Sequence, residues 1–378
     1  MSPEVGDLLT GVEIGPVAHG GHFVARHDGF VLFVRGAIEG ELADVRVTEV
    51  AKRFARADVV AIGRPSPHRV VPPCPIADAC GGCDFQHIEP AWTRELKRRV
   101  VVELLGHLGG VEFAGQVDDV APSPFGWRTR MRYQHDPDGR PGLRAHRSAD
   151  VVPLPAEGCR LAVPAIASPS SSGDPGTELL GVAAHSGAAF LTADAAALTV
   201  AEHAAGRDYE VAADGFWQAH VAAPDLLVAA VLEGLGPRRG EVALDLYCGV
   251  GLFAGALAAA GCRVTGIEGD RAAVEHAKRN VPESRFLAGD VARRLRQVRG
   301  PVDLVVLDPP RTGAGATVLR QVLGLQPRAV AYVACDPAAL GRDLRTAAEL
   351  GYRPRSLQAW DLFPMTHHVE CLAILEPS

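Results

Sequence analysis

Residues 4–60 alternate apolar and polar positions in short runs that are separated by glycine turns. A period of two is typical of strands that are buried on one face only. About five such strands in so short a segment predict an OB-like β-barrel over residues 1–62. Such barrels often bind single-stranded nucleic acid, and a barrel that only packs against its neighbour is the alternative. The basic residues that we place on a binding face are Arg46, Lys52, Arg53 and Arg56.

From about residue 209 to residue 378, apolar runs of strand length alternate with helical patterns. This alternation predicts an α/β domain with a Rossmann-like, mostly parallel sheet that carries helices on both faces. Ligands of such sheets bind at the carboxyl ends of the strands, so the loops that leave those ends should meet in one cleft. The loops are residues 248–251, 268–270, 308–311 and 335–337.

The stretch EVALDLYCGVGLF, at 241–253, is the centre of that domain. An apolar strand runs into a Gly249-x-Gly251 turn, and Glu268 ends the second strand about 20 residues later, at the spacing where an acid binds ribose hydroxyls. Glycines at such a turn let a ligand approach the backbone closely. The next glycine is Gly255, which departs from G-x-G-x-x-G and favours S-adenosylmethionine over NAD. A turn that only packs against its neighbours, without any ligand, is the alternative.

The segment between these two regions, residues 63–208, begins with clustered prolines and then carries a cysteine motif. Cys74, Cys80 and Cys83 have x5 and x2 spacing on a short loop, and two glycines allow a tight turn. A four-ligand site needs one more thiol, and Cys159 is the best candidate because it lies outside any helix or strand pattern. Four cysteines suit zinc or a [4Fe–4S] cluster. A chance grouping of buried free cysteines is the alternative.

Two further stretches of this central segment are basic. Residues 90–108 predict an amphipathic helix whose charged side is either a solvated face or a phosphate contact. Its basic cluster consists of Arg94, Lys97, Arg98 and Arg99. Residues 127–148 predict a hairpin closed at 138–139, with Arg128, Arg130 and Arg132 on one strand face. With Trp127 and Tyr133 close by, this row suits RNA phosphates and unstacked bases better than a core. The polar stretch at 167–177 predicts a loop without a function.

Composition restricts the class of protein further. The 378 residues are 47% hydrophobic and 22% charged, as in ordinary folded proteins. The formal net charge of −7 gives no overall attraction to nucleic acid, so any RNA binding must come from local basic surfaces. The start has no secretory signal, and no apolar run is long enough to cross a bilayer. We therefore expect a cytoplasmic protein, most simply a monomer, with reduced cysteines and no membrane partner.

Three residues of the predicted cleft indicate chemistry. Asp308 opens a rigid Asp-Pro-Pro turn of the kind that holds a flipped base, which by itself suggests methylation of an amino group. Cys335 follows an apolar strand and precedes a helix start, where the helix dipole favours thiolate; an inert buried cysteine is the alternative. Glu370 precedes the last strand as a general base or as one half of a salt bridge. His367 and His368 are expected to have structural or positioning roles.

A thiol, a base and a methyl donor together fit methylation of uracil carbon 5. That carbon is a poor nucleophile until a thiolate adds to carbon 6, and a base must afterwards remove the carbon-5 proton. Methylation of an amino group needs neither the thiol nor that base. The combination therefore favours uracil over an amino-group target.

These residues resemble the RNA uracil-5 methyltransferases that carry an N-terminal TRAM barrel and an iron–sulfur cluster. The resemblance rests on CPIADACGGC with Cys159, GFWQ at 215–218, DLYCGVGLF, LDPPR, ACDP and HHVE, and it covers almost the whole chain. It implies a [4Fe–4S] cluster, Cys335 as nucleophile and Glu370 as base, with Gln218 and Asp308 holding the cofactor and the target uracil. The S-adenosylmethionine contacts that it implies are Tyr247, Gly249, Gly251, Glu268 and Asp290. Ala334 and Leu252 depart from the usual serine and small polar residue.

The sequence as a whole predicts an RNA 5-methyluridine methyltransferase that acts on large-subunit (23S) ribosomal RNA in preference to transfer RNA. Two alternatives remain at this point. One is a nucleobase amino-methyltransferase, and the other is a non-catalytic iron–sulfur protein that binds RNA. Which uridine is modified, and whether one or two are, the sequence does not indicate.

Overall fold

The computed structural model describes residues 3–169, 172–192 and 198–378. Residues 170 and 171 of the loop predicted at 167–177 lie outside that part. The N-terminal strands close into a barrel with the order β1-β2-β3-β5-β4. They are β1 (Leu8–Val17), β2 (Phe23–His27), β3 (Phe30–Arg35), β4 (Leu42–Val50) and β5 (Phe54–Arg64). The alternating side chains fill its interior, so the predicted OB-like barrel is confirmed.

The central segment combines one helix with small antiparallel sheets. Its helix α1 (Pro90–Leu104) continues into a π-helical turn at Leu105–Gly109. Within the described residues, β11-β10-β7-β8-β9 form one sheet, and β12 and β13 form a hairpin. The strands are β6 (Val117–Asp119), β7 (Arg130–His135), β8 (Pro141–Arg144), β9 (Val151–Pro153), β10 (Glu178–Ala184), β11 (Gly187–Thr192), β12 (Thr199–Ala204) and β13 (Arg207–Ala212). The predicted hairpin is β7–β8.

The C-terminal region is a twisted sheet with the order β16-β15-β14-β17-β18-β20-β19-β6, eight strands in the described chain. Its strands are β14 (Val242–Leu246), β15 (Arg263–Glu268), β16 (Arg285–Ala288), β17 (Leu304–Leu307), β18 (Ala329–Ala334), β19 (Tyr352–Asp361) and β20 (Glu370–Pro377). The pairs from β16 to β18 are parallel, and β20 is antiparallel to both of its neighbours. The mostly parallel sheet is therefore confirmed, while its last strand, β6, comes unpredicted from the central segment.

Helices cover both faces of that sheet. They are α2 (Ala223–Leu235), α3 (Leu252–Ala259), α4 (Arg271–Asn280), α5 (Val291–Leu295), α6 (Gly315–Gly324) and α7 (Pro337–Glu349). Helices α2, α3 and α4 pack in one hydrophobic cluster, and α5, α6 and α7 in the other. Strand β18 is buried at every position because it is covered on both sides, which explains its uninterrupted apolar run. No helix in the described part of the chain is both long and apolar enough to span a membrane.

The basic residues predicted on α1 do not form a free cationic face, so that part of the prediction is wrong. Lys97 is 2% exposed, and its Nζ lies 2.6 Å from Asp361 Oδ1 and 3.0 Å from the carbonyl oxygen of Phe363. The arginines of the cluster also pair with carboxylates of the chain, Arg94 with Asp119 and both Arg98 and Arg99 with Glu95. The helical periodicity was sufficient to predict α1, but the partners of its charges are distant in sequence.

Candidate functional site

The strand-to-helix turn after β14 is tied to the end of β15. Glu268 accepts hydrogen bonds from the backbone N–H of Gly249 (3.0 Å) and of Asp270 (2.8 Å). Gly249 has φ +52°, and a Cβ built there would meet nothing within 4 Å, so open space lies beside the turn. Tyr247 adopts φ +62°, a conformation that non-glycine residues seldom take except at functional turns. The turn thus leaves room for a ligand beside a carboxylate.

Gln218 and Asp308 are close together, although 90 residues separate them in sequence. The side-chain amide of Gln218 donates to Asp308 Oδ2 at 3.3 Å. The pKa of Asp308 is raised to about 7, mainly by burial; the hydrogen bond from Gln218 lowers it, and the negative charge of Glu268 raises it. An acid with a pKa near neutrality in a cleft is a frequent sign of a functional site.

Sequence reasoning did not single out Asp245. It is fully buried on β14; Oδ2 accepts from the N–H of Ala254 at 2.8 Å, and Oδ1 has no hydrogen-bond partner among the described residues. Burial raises its pKa well above the usual value, and the charges of Asp308 and Glu268 act in the same direction. The available signal was an acid between two buried leucines, which is costly unless it serves a purpose.

Cys335 and Glu370 lie beside each other at the next strand ends. Cys335 is half-buried after β18, and Glu370 is 4% exposed at the start of β20. Burial, then the charges of Glu370 and Asp308, raises the pKa of Cys335 to about 12. Burial and the charge of Asp308 raise the pKa of Glu370 well above its usual value. In the ligand-free cleft these shifts favour the protonated forms of both the thiol and the carboxyl.

The expectation that the helix start favours a thiolate is therefore wrong for this arrangement. Asp336 is the N-cap of α7, and its Oδ1 accepts from the N–H of Ala339 at 2.8 Å. The first turn is thus satisfied by a carboxylate, and that negative charge also raises the pKa of Cys335. The other oxygen of Asp336 pairs with His19 of the barrel at 3.1 Å. Arg311 is the cationic residue that lowers the thiol pKa, and the sequence prediction placed it in a cleft loop without giving it a role.

The remaining predicted cofactor contacts are at the rim of the same cleft. Gly251 has φ +95° and is the N-cap residue of α3. Asp290 is the N-cap of α5, and its carboxylate accepts from the N–H of Arg293 at 2.8 Å. Its charge also acts on the Tyr247 hydroxyl, whose pKa burial raises to about 12. The structure thus brings the loops after β14, β15, β17 and β18 to one edge of the sheet.

A cavity of about 510 Å³ lies between residues 74–85, which will be called the cysteine loop, and the β7 hairpin. Its wall includes Cys74, Cys80, Cys83, Cys159, Arg128, Arg130 and Arg132. All four thiols are free, and the backbone N–H of Gly82 and the amide of Gln86 donate to the sulfurs of Cys80 and Cys83. Within residues 3–169, 172–192 and 198–378, no three His, Cys, Asp or Glu side chains are arranged to hold a metal ion.

The aromatic part of the predicted RNA-binding row is wrong. Trp127 and Tyr133 are 1% and 0% exposed and belong to the core of the central segment. Of the three arginines, Arg130 pairs with Glu202 at 2.9 Å, and Arg128 donates from Nε to the carbonyl oxygen of Arg130 at 3.1 Å. Arg132 is the exposed member and pairs with Glu178. Because β7 is an inner strand of its sheet, its inward residues are core.

The mostly parallel sheet, its antiparallel strand β20 and the acid-lined turn after the first strand are the features of a class I methyltransferase fold. Comparison with known proteins agrees. Residues 10–60 match the model of the TRAM domain, and residues 191–378 match the model of the tRNA (uracil-5-)-methyltransferases.

Relatives align along nearly the whole chain. An RNA methyltransferase of Streptomyces avermitilis is 45% identical over 97% of this chain and 98% of its own. The 23S rRNA (uracil(1939)-C(5))-methyltransferase RlmD of Shewanella halifaxensis is 30% identical over 97% of this chain and 95% of its own. The chain belongs to the RNA uracil-5 methyltransferase family and is an S-adenosylmethionine-dependent RNA methyltransferase.

A solved structure shows the same fold. The tRNA (uracil-54, C5)-methyltransferase of Pyrococcus abyssi, in complex with S-adenosyl-L-homocysteine, superposes with a TM-score of 0.73. It is 24% identical and the match covers 96% of this chain and 99% of that one.

Proposed function

We propose that this enzyme methylates carbon 5 of a uridine in large-subunit ribosomal RNA through a covalent bond between Cys335 and carbon 6 of the base. The observation that carries the proposal is the pair of Cys335 and Glu370 beside Asp308 in one cleft. Methylation of an exocyclic amino group would use the Asp-Pro-Pro turn alone, and would leave a half-exposed thiol next to a buried carboxyl without a function.

Each side chain has one task in this chemistry. The sulfur of Cys335 gives its proton to solvent and forms a bond to carbon 6, and the electrons of the ring double bond move towards carbon 5. When bound, S-adenosylmethionine supplies the methyl group that carbon 5 takes. Glu370, as carboxylate, then removes the proton of carbon 5, and the sulfur–carbon bond breaks to restore the free cysteine. Asp308 and Gln218 accept and donate hydrogen bonds at the cleft floor, which suits the edge of a uracil ring.

The same cleft has the features that a methyl donor requires. Glu268 lies at the end of β15, where a carboxylate can accept both hydroxyls of a ribose, and the turn leaves open space next to it at Gly249. We place the donor between that turn, Tyr247 and Asp290. The acidic surroundings of Asp245 and Asp308 favour a positively charged sulfonium.

Ribosomal RNA is supported as substrate by the full-length match to the 23S rRNA enzyme of Shewanella halifaxensis. Transfer RNA is the second candidate, because the matching family model carries that description. The two substrates are distinguished by the rate of methylation with a labelled methyl donor. The RNAs compared are transcripts of domains of 23S rRNA and transcripts of tRNAs, each in a separate assay. Faster methylation of tRNA than of every 23S fragment would overturn the ribosomal assignment.

A [4Fe–4S] cluster bound to Cys74, Cys80, Cys83 and Cys159 is part of the proposal. Its support is that four free cysteines line one cavity whose volume is many times the roughly 30 Å³ of a water molecule, which leaves room for more than a single ion. Their side chains are not arranged around a metal ion in this structure and would have to close around the cluster. Such a cluster would link the cysteine loop to the loop that carries Cys159. Reduced thiols support the cytoplasm as the site of action. Anaerobically purified protein should be brown and contain iron; a colourless protein with stoichiometric zinc would contradict the cluster.

The covalent step is tested with RNA that contains 5-fluorouridine. Fluorine at carbon 5 cannot be removed as a proton, so the Cys335 adduct should persist through denaturation, and mass spectrometry should place the RNA on residue 335. Cys335→Ala should give no adduct. Cys262→Ala changes a cysteine that precedes β15, at the other end of the strands, and this variant should form the adduct normally. An adduct at another residue, or turnover with no adduct, would show the mechanism to be wrong.

A further inference from the structure

The loop that precedes Glu370, residues 362–369, will be called the base loop. It connects β19 to β20, and most of its side chains are buried. Met365 within it has φ +65°, a conformation that side chains seldom adopt without being held there. What holds the base loop therefore decides where Glu370 lies.

The cysteine loop provides one side of this support. The backbone N–H groups of Asp84 and Phe85, directly after Cys83, both donate to the carbonyl oxygen of Met365, at 2.9 and 3.1 Å. In return, Asp84 Oδ2 accepts from the backbone N–H of His367 at 2.9 Å and lies 2.7 Å from its Nδ1. Four contacts thus join two residues of the cysteine loop to two residues of the base loop.

Helix α1 and the barrel complete the enclosure. The ammonium group of Lys97 donates to the carbonyl oxygen of Phe363 at 3.0 Å and to Asp361, the last residue of β19. On the barrel side, a Cβ built on Gly21 would lie 2.9 Å from Cβ of His367 and 3.2 Å from Cβ of Asp84. The base loop therefore has little space for another position as long as Asp84 stays in place.

We propose that Asp84 is a positioning residue through which the four-cysteine site holds Glu370 at the substrate. This rests on the function proposed above, in which Glu370 removes the carbon-5 proton. The path consists of contiguous contacts from Cys83 to Asp84, from Asp84 to His367, and from His367 through two residues of backbone to Glu370. It gives the cysteine site a part in the second half of the reaction without contact with the substrate.

The consequence is a specific kinetic defect. If Asp84 no longer holds the base loop, Cys335 can still attack and the methyl group can still transfer, but proton removal is slow. The methylated RNA then stays bonded to the enzyme, and the adduct accumulates on ordinary uridine. A misplacement of about 1 Å can reduce a rate by about 100-fold. A general loss of stability would instead reduce adduct formation and turnover together.

The experiment compares Asp84→Ala and Asp84→Asn with Asp78→Asn, a change of an exposed acid on the same cysteine loop. We expect Asp84→Ala to lower kcat by about 10- to 100-fold with a change in the RNA KM of less than about threefold. Denaturing gels should show a Cys335 adduct on unsubstituted RNA. Asp84→Asn keeps an oxygen acceptor for His367 and should recover most of the rate. Asp78→Asn should match the wild type.

Hydrogen exchange tests the coupling without turnover. Cys159→Ala alters the cysteine site at a distance from Asp84, and exchange in residues 362–369 should become at least about threefold faster, while residues 242–260 stay unchanged. Unchanged exchange in the base loop, or an Asp84→Ala enzyme that forms no adduct on ordinary RNA and behaves like Asp78→Asn, would overturn the proposal. If the wild type itself forms no adduct on 5-fluorouridine RNA, the proposed function fails instead.

Discussion

The catalytic cleft and the cysteine cavity both bury ionisable groups, but the cleft buries acids, whereas the cavity buries arginines as well as thiols. In the cleft, burial raises the pKa values of Asp245, Asp308, Cys335 and Glu370, and the neighbours that act on these groups are mostly other acids. In the cavity, burial lowers the pKa values of Arg128 and Arg130 and raises those of Cys80 and Cys159. The cleft thus brings several acids together, and the cavity places guanidinium groups near thiols.

This difference shows how a buried charge indicates its ligand. A group that is desolvated without a partner destabilises the free protein, and a ligand of opposite charge removes that penalty. The cleft therefore suits a cation such as a sulfonium. In the cavity Arg130 already pairs with Glu202, whereas Arg128 donates to a backbone carbonyl and suits an electron-rich group, either thiolates bound to iron or an RNA phosphate. In the function that we propose, chemistry belongs to the first region and the second has a supporting role.

The largest expected effect separates the regions by function. Cys335→Ala should reduce methylation by about 10⁴-fold or more, because the sulfur forms the bond that activates the ring, and should leave thermal stability nearly unchanged. Cys159→Ala should lower the melting temperature by several degrees and leave measurable methylation. Methylation assays and thermal unfolding of both variants, with Cys262→Ala as control, test this. Full activity of Cys335→Ala would contradict the assignment of chemistry to the cleft.

The next effect concerns the stability cost of the acidic cleft. The pKa of Asp308 is raised from 3.8 to about 7, so its ionisation destabilises the ligand-free fold as pH rises from about 4 to about 7. At 1.36 kcal/mol per pH unit the full effect is about 4 kcal/mol, of which about 2 kcal/mol falls between pH 5.5 and 8.5. Asp308→Asn should therefore stabilise the free protein more at pH 8.5 than at pH 5.5.

Denaturant unfolding at the two pH values measures this difference. The asparagine oxygen can still accept from Gln218, so the hydrogen bond is not the variable. Removal of the charge at 308 also lowers the pKa values of Cys335 and Glu370, which likewise reduces the loss of stability at the higher pH. An equal effect of the substitution at both pH values would show that Asp308 is already ionised at pH 5.5.

A smaller effect concerns the sign of the ligand. S-adenosylmethionine carries a methyl group and a sulfonium charge that S-adenosylhomocysteine lacks, and the two molecules are otherwise the same. Between pH 5.5 and 8.5 Asp308 ionises, so the preference for the sulfonium should increase by about tenfold, or about 1.4 kcal/mol. Calorimetric titration of both ligands at each pH provides the ratio. In Asp308→Asn the ratio should be nearly independent of pH.

The two regions also differ in how far the sequence predicted them. The barrel and the α/β domain follow from local periodicity, and Gly249, Glu268, Asp308 and Cys335 lie at strand ends that alternation alone locates. The cleft could therefore be assembled before any coordinates. The protonation of its groups could not be predicted from the sequence. The raised pKa of Cys335 depends on acids at β17 and β20 and on Asp336, which already caps the helix.

The cavity and its surroundings depend on contacts between distant parts of the chain. Spacing grouped Cys74, Cys80 and Cys83, and Cys159 was added because it lies outside any helix or strand pattern. Neither observation indicated that Trp127 and Tyr133 point into a core. Spacing could not show that Lys97 is buried against Asp361, since 264 residues separate them. Strand β6 joins a sheet whose other strands lie more than a hundred residues further on, so no local pattern identifies it. Charge runs are ambiguous for the same reason: a basic side chain and its acidic partner need not be neighbours in sequence.

The smallest effect tests whether the exposed edge of the cavity binds RNA. Arg132 and Glu178 form an exposed ion pair, with side chains 57% and 38% accessible, so Arg132→Ala should change the free energy of unfolding by less than about 1 kcal/mol. If Arg132 contacts one phosphate of single-stranded RNA, its loss should weaken binding about threefold to tenfold at low salt. The slope of log K against log[salt] should also fall by about 0.7. Glu178→Ala, which frees the guanidinium, should strengthen binding. Equal RNA affinity in all three proteins would restrict RNA contact to other surfaces and leave this arginine as half of a surface ion pair.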